Sequence, residues 1–315
     1  MDIIMWAFVL IAALYFLAAS SKMFTQSAEK IGLWLRISPF VVGVTIVAIG
    51  TSLPELVSSI FAVVTGNSEI VVGNVIGSNI TNILVILGVS AIVARKIVIK
   101  ETFLRIDLMV LIASMFMLFL VSFDGTITLI ETIILFASFI IYIVYIVKAK
   151  KHVEPKEVKP LDVKRTTLTT KDYVKLALSL LILFFSAKYT VDAIVAISQA
   201  FTIGKEVIAA TVVAFGTSLP ELAVSIQAAR KGKTDIAVGN ILGSNIFNIF
   251  AVVGVAGIFG TLIVPTSIIT TGLLFMIVST FLYYFAVKDK RFSTWDGAFF
   301  IILYLLYLVQ VLGFA

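Results

Sequence analysis

The chain has no cysteine and one histidine, His152. Without cysteine there is no disulfide and no thiolate ligand, and the redox compartment cannot be read from the sequence. His152 lies in a charged stretch, so no apolar segment offers an imidazole for general-base or soft-metal chemistry. Charge is scarce as well. Asp, Glu, Lys and Arg make up 13% of the 315 residues, where a soluble globular domain carries about 25%. Hydrophobic residues reach 60% and the mean hydropathy is +1.13. Apolar runs of about 20 residues are long enough to cross a bilayer as helices. Together these features exclude a soluble domain and point to a polytopic membrane protein. The first apolar segment, from Ile3 onward, lacks a basic leader and a clear cleavage site, and reads as a retained span. The net charge of +6 is no nucleic-acid signature, because the cations sit in short loops that orient the protein in the membrane.

Ten hydrophobic spans can be drawn, near 3–21, 39–65, 70–94, 103–122, 126–147, 173–191, 206–229, 235–259, 265–287 and 296–314. The longest polar stretch, 148–172, carries Lys148, Lys150, Lys151, Lys156, Lys159, Lys164, Arg165 and Lys171. Positive-inside bias places it in the cytoplasm. Lys30 and Arg36, then Arg95, Lys96 and Lys100, then Arg230, Lys231 and Lys233, then Lys288, Lys290 and Arg291 lie in loops on that same side. Lys205 is the main exception on the other side. Five spans precede the linker, so both termini are expected outside. Five is odd, so a repeat of the first half must be inverted. The expected fold is all-α: ten transmembrane helices in two inverted five-helix repeats, 1–147 and 173–315, joined by the basic linker 148–172, with broken helices at the centre.

A repeat is present. Gly50-Thr51-Ser52-Leu53-Pro54-Glu55-Leu56 recurs as Gly216-Thr217-Ser218-Leu219-Pro220-Glu221-Leu222, offset by 166 residues. Over 43–88 and 209–254, 25 of 46 positions are identical, more than apolar composition alone produces. Ser20-Ser21-Lys22 and Ser186-Ala187-Lys188 share the same offset and continue the first and sixth spans with amphipathic or snorkelling residues.

Pro54 has no N–H and its ring clashes with the carbonyl of Gly50, while Gly50 loosens the backbone, so the span is expected to break here. A helix broken inside a membrane frees carbonyls, which are tolerated only beside a cavity or a ligand. Glu55 is a costly carboxylate in an apolar segment and therefore a functional candidate. Thr51 and Ser52 stand four and three residues before it and can share its face. Downstream, Ser78 and Asn82 are again four apart, and Gly73 and Gly77 allow close helix approach. The second copy supplies Thr217, Ser218, Glu221, Gly239, Gly243, Ser244 and Asn248. Every polar group here offers oxygen, and no thiolate or imidazole is present. That donor set suits hard cations, and two glutamates balance one Ca²⁺ or two Na⁺. Asn74, Asn79, Asn240 and Asn245 read as interhelical glue. Asp124-Gly125 and Asp296-Gly297 read as turns or caps, and Trp6, Trp34 and Trp295 as interface anchors.

The doubled Gly-Thr-Ser-Leu-Pro-Glu and Gly-Ser-Asn-Ile-x-Asn segments resemble the alpha repeats of the calcium/cation antiporters, and within them the prokaryotic sodium/calcium exchangers. The resemblance implies four central cation sites, one preferring Ca²⁺ and the others Na⁺. It implies that Glu55 and Glu221 are shared acidic ligands. Thr51, Ser52, Thr217 and Ser218 would add hydroxyl or carbonyl oxygens, Ala48 and Ala214 backbone carbonyls, Ser78 and Ser244 side-chain oxygen, and Asn82 would complete the first half. It further implies that spans one and six slide to alternate access. Asn248 stands where some relatives carry Asp, a residue typical of potassium-dependent exchangers, and its role is left open between weak ligand and support for Glu221. The expectation is a Na⁺/Ca²⁺ antiporter of the cell membrane with no cofactor and no enzymatic chemistry, whose partners are its two ions and the lipid. Ca²⁺/H⁺ exchange, potassium-dependent exchange and a cation channel are the alternatives.

Overall fold

Apolar segments fold as helices because hydrocarbon offers no partner to a backbone N–H or C=O, so each must be satisfied within its own segment. The structure, a computed structural model, describes residues 3–34, 48–98, 104–151, 168–230, 232, 234–288 and 291–313. In chain order the α-helices are α1 (Ile3–Trp34), α2 (Ala48–Thr51), α3 (Leu53–Val64), α4 (Glu69–Thr81), α5 (Gly88–Ala94), α6 (Leu104–Ser122), α7 (Leu129–Lys151), α8 (Thr170–Phe201), α9 (Lys205–Ile208), α10 (Ala214–Thr217), α11 (Leu219–Arg230), α12 (Thr234–Phe247), α13 (Val253–Ala256), α14 (Leu273–Lys288) and α15 (Thr294–Val311). Among the described residues four π-helical segments punctuate them: Asn82–Leu87 between α4 and α5, Ala209–Val213 between α9 and α10, Asn248–Val252 between α12 and α13, and Ile268–Gly272 before α14.

Among the described residues seven helices are long and apolar enough to cross a membrane, or eight if Lys205–Thr217 and Leu219–Arg230, bent by 42° at their junction, count as one span. The shorter apolar helices Leu53–Val64 and Leu108–Ser122 fall in the expected spans 39–65 and 103–122, which run partly through residues outside the described set. Most of the linker 148–172, with His152, also lies outside it, as does Arg36.

Burial sorts the spans into a core and a wall. Glu69–Ala94 and Ala237–Ala256, the spans holding the Gly-Ser-Asn motifs, are 89% and 83% buried, whereas the other five are 22–39% buried. The wall helices turn Ile4, Phe8, Leu120, Ile130 and Ile141 outward, a surface suited to lipid and not to water. Helices α1 and α8 are both 32 residues long, about 48 Å, so they must tilt in or overrun a hydrocarbon layer of about 30 Å. They run antiparallel, and Lys30 near the end of α1 meets Asp172 at the start of α8 at 2.7 Å. An apolar cavity of about 620 Å³ between them is lined by Phe8, Phe16, Leu181 and Phe185 among others. Its walls suit acyl chains rather than ions. Lys188 is held by Asp192 at 3.8 Å and sits 5.3 Å from the Tyr189 ring centroid.

Two short antiparallel ribbons join the halves. Strand β1 (Lys96–Val98) pairs with β4 (Arg291–Ser293) in the register Lys96↔Ser293, Ile97↔Phe292. Strand β2 (Thr126–Ile127) pairs with β3 (Leu262–Ile263) in the register Ile127↔Leu262, Thr126↔Ile263. Moving one residue of each β1–β4 pair forward by 166 and the other back by 166 reproduces the β2–β3 pairs. The repeat seen in the sequence is thus also a repeat of contacts.

The expected turns and caps have visible partners. Asp124 Oδ1 accepts from Thr126 N at 3.1 Å beside Gly125 at φ +88°. Asp296 closes a capping box with Ser293. Glu131 Oε2 accepts from the amide and hydroxyl of Thr128, both at 2.8 Å, so it caps α7.

Candidate cation site

Each repeat breaks at the serine of its Gly-Thr-Ser motif. Ser52 has φ −91°, ψ 11° and Ser218 has φ −80°, ψ 4°, the bridge region between helix and turn. Pro54 lies in the first turn of α3, where its missing N–H is harmless, but it cannot bond back to Gly50. Pro220 does the same for α11. One residue out of helical register turns the flanking side chains toward the opposite repeat.

The contacts that result are reciprocal. Ser52 Oγ donates to Glu221 Oε1 at 2.7 Å, and Ser218 Oγ donates to Glu55 Oε1 at 3.5 Å. Ser78 Oγ reaches Glu55 Oε1 at 3.5 Å, and Ser244 Oγ reaches Glu221 Oε1 at 3.4 Å. Thr51 also acts on Glu221, and Thr217 on Glu55. Each carboxylate is therefore held at one oxygen by hydroxyls from both repeats, and the two carboxylates are near enough to interact with each other.

Helices α4 and α12 cross through an amide quartet. Asn79 Nδ2 donates to the Asn245 carbonyl and Asn245 Nδ2 to the Asn79 carbonyl, both at 3.4 Å. Asn82 Nδ2 donates to Asn245 Oδ1 at 2.9 Å, and Asn248 Nδ2 to Asn79 Oδ1 at 3.2 Å. Asn79 and Asn245 are thus the glue the sequence suggested. Asn82 and Asn248 spend their donors on this quartet and keep their oxygens. Both open a π-helical segment, a local widening that often marks functional positions and that no residue pattern announces.

Four oxygens are left over: Glu55 Oε2, Glu221 Oε2, Asn82 Oδ1 and Asn248 Oδ1 are buried without a hydrogen-bond partner. All four residues are 0% exposed. A buried acceptor without a donor is costly, and four related in pairs by the repeat are an arrangement, not an accident. An acceptor-only cluster with two carboxylates attracts a cation. Among the described residues no group of three or more His, Asp or Glu gathers anywhere, so neutral oxygens must complete any coordination shell.

The remaining expected residues are placed as follows. Ala48 opens α2. The carbonyl of Ala214 accepts from Ser218 N at 3.2 Å and lies 3.5 Å from Ser78 Oγ. Thr217 Oγ1 bonds back to Val213 O at 3.0 Å. Asn240 Nδ2 binds Ser225 Oγ at 3.2 Å, and Asn74 Oδ1 accepts from Thr217 Oγ1 at 3.4 Å.

Two tyrosines outside the motifs brace the site. Tyr283 Oη donates to Val238 O at 2.8 Å and Tyr307 Oη to Ala210 O at 3.0 Å. Their spans look uniformly apolar, so only the fold reveals them. Tyr307→Phe leaves the Ala210 carbonyl without this donor and is expected to cost about 1 kcal/mol. Thermal melting in detergent checks it, and an unchanged midpoint would remove the bracing role.

The sodium/calcium exchanger protein family model matches residues 5–148 and 171–313. The sodium/calcium exchanger MaX1 of Methanosarcina acetivorans is 32% identical, with 96% of this chain and 97% of that protein covered. The inner membrane protein YrbG of Escherichia coli is 34% identical over 251 residues, 78% of this chain and 77% of that protein. Among solved structures, the sodium-calcium exchanger NCX_Mj soaked with 100 mM Na⁺ and 10 mM Sr²⁺ superposes with a TM-score of 0.69 at 30% identity, covering 98% of this chain and 99% of that one.

Proposed function

The chain belongs to the sodium/calcium exchanger protein family, and on that premise we propose that it is a secondary antiporter that exchanges Na⁺ for Ca²⁺ by alternating access. The observation that carries this reading is the set of four buried oxygens without donors on Glu55, Glu221, Asn82 and Asn248. Thr51, Ser52, Thr217, Ser218, Ser78 and Ser244, with the carbonyls of Ala48 and Ala214, supply further oxygen to Ca²⁺ or Na⁺ as each is carried. Two carboxylates neutralise one Ca²⁺ or two Na⁺. Both ions need the same carboxylates, so one must leave before the other binds. That competition couples the two fluxes.

The proposed architecture is ten spans in two inverted repeats, 1–147 and 173–315, with linker 148–172 in the cytoplasm and both termini outside. The ribbons support the inversion. Helix α6, 19 residues long, lies between β1 and β2, so the β1–β4 and β2–β3 ribbons lie at opposite ends of a membrane-length helix. The repeat operation exchanges these ribbons, so it also exchanges the two membrane faces. The basic loops supply the orientation.

Flux assays in proteoliposomes with separate Na⁺, K⁺ and H⁺ gradients test the function. Ca²⁺ uptake should follow an outward Na⁺ gradient, reverse when that gradient reverses, and need no K⁺. Ca²⁺ flux indifferent to Na⁺ would refute the proposal. Proton coupling is the second reading, favoured by the free Oε2 atoms, each of which offers a place for either a proton or a cation. Uptake that tracks a pH gradient alone would select it.

A further inference from the structure

In the second repeat Asn240 Nδ2 closes onto Ser225 Oγ at 3.2 Å and approaches the Glu221 carbonyl at 3.4 Å. The positions 166 residues earlier are Asn74 and Ser59, and there the corresponding bond is not made. Ser59 Oγ and Asn74 Nδ2 are both buried with no hydrogen-bond partner among the described residues, and so is Ser58 Oγ. Ser58 has no polar counterpart, because the second repeat carries Val224 at that position. Ser58 and Ser59 follow Glu55 by three and four residues, so they stand one turn beyond it on the same face of α3. Asn74, on the adjoining α4, is tied at its other end to Thr217. The first repeat thus carries a strip of unpartnered polar atoms one turn beyond Glu55, and none of Glu55, Ser58, Ser59 and Asn74 is more than 1% exposed. The second repeat has a Val and a closed Ser–Asn pair instead.

Buried hydroxyls and amides without protein partners are ordinarily satisfied by water. We propose that Ser58, Ser59 and Asn74 line a water-filled antechamber of the cation site, in which a hydrated cation exchanges shell water for Glu55. The inference rests on the reading of Glu55 and Glu221 as a cation site. Neutral hydroxyls next to one carboxylate replace shell waters stepwise without trapping the ion. Along α3 the strip continues through Ala62, which is buried, to Thr65 and Gly66, which are exposed at the turn. Ala62 stands between the chamber and that turn. The first repeat therefore offers Glu55 a polar approach that the sequence of the second repeat does not offer Glu221.

The absence of cysteine makes a direct test clean, since any introduced thiol is the only one. Ser59 and Ser225 are matched positions, both 0% exposed. Full-length Ser59→Cys and Ser225→Cys proteins in detergent, shown folded by thermal melting, would be treated with 2-aminoethyl methanethiosulfonate. Ser59→Cys should react at least about tenfold faster, and saturating Ca²⁺ should slow it. Equal rates, or faster reaction at Ser225→Cys, overturn the antechamber. A second variant, Ser58→Ala with Ser59→Ala, separates wet from dry. In a dry strip, deleting two unpaired hydroxyls raises the melting temperature and spares transport. In a wet one the melting temperature does not rise and the KM for Ca²⁺ increases several-fold. A higher melting temperature with unchanged KM overturns the proposal. If the unmodified protein moved no Ca²⁺ while the labelling contrast persisted, the functional reading would fail and the chamber would stand.

Discussion

Glu55→Gln and Glu221→Gln are each expected to lower Na⁺-driven Ca²⁺ uptake by at least about 100-fold while leaving the protein folded. Glutamine keeps the shape and can still accept from Ser218 or Ser52, so the break in each repeat survives. What changes is the free Oε2 position, where an acceptor becomes an NH₂ donor facing the remaining oxygens, and the site loses half its charge. A unit charge pair about 4 Å apart is worth about 4 kcal/mol at an effective dielectric of about 20. The divalent ion doubles that. Losing even the smaller figure weakens binding by about three orders of magnitude. The same substitution has the opposite sign for stability. Two buried carboxylates within interaction range destabilise the cation-free fold, so neutralising one should leave its melting temperature unchanged or higher. Ca²⁺ should raise the melting temperature of the unmodified protein, by mass action, and should no longer do so in the variants. Radioactive Ca²⁺ uptake into proteoliposomes, paired with melting curves at several Ca²⁺ concentrations, reads both signs. Uptake within a few-fold of the unmodified protein would remove the site assignment.

Gly77→Ala should be among the most damaging single-methyl additions at the described glycines, at about 3 kcal/mol. A Cβ at Gly77 would fall on the Ala210 carbonyl, and one at Gly73 would lie 2.5 Å from the Glu206 carbonyl. Both obstacles are backbone of the opposite half, which cannot rotate away as a side chain can. The methyl must push α4 from Ala209–Val213, and with it Ser78 and the amide quartet. The expected result is a large fall in melting temperature and little or no transport. Gly66→Ala is the control. Gly66 sits at φ +75° with open space around its Cβ position, so only the local cost of a left-handed alanine, about 1 kcal/mol, applies. If Gly77→Ala melted like the Gly66 variant, the close packing of the halves at α4 would be wrong.

Much of the site was legible because membrane burial makes polar residues conspicuous. Glu55, Ser78 and Asn82 stand out in apolar runs, and their recurrence at a constant offset marks them as a set. The same logic could not say which atom of each residue is spoken for. Asn82 and Asn248 look like Asn79 and Asn245 in the motif, yet Asn79 and Asn245 both donate and accept at the crossing, whereas Asn82 and Asn248 only donate there and keep their oxygens. Nor could motif spacing reveal that Ser59 and Ser225, identical in sequence, differ in partner. Tyr283 and Tyr307 were invisible for another reason: an aromatic in an apolar span has no distinctive period, and its hydroxyl acquires meaning only from the carbonyl it meets.

By itself, then, the sequence determined the solvent, the repeat and the chemistry. Low charge and long apolar runs allow only a membrane setting, the doubled motif requires internal symmetry, and an oxygen-only donor set without Cys or His selects hard cations. Tertiary structure decided the pairing. Hydrogen bonds between residues more than 130 positions apart, such as Ser52 to Glu221 and Asn82 to Asn245, depend on how two helix breaks face each other. That facing is set by close backbone contact at Gly73 and Gly77 and by ribbons at the two ends, none of which is a local property of the chain. The oxygens that remain unpaired, and so remain for an ion, are known only after every other pairing has been made.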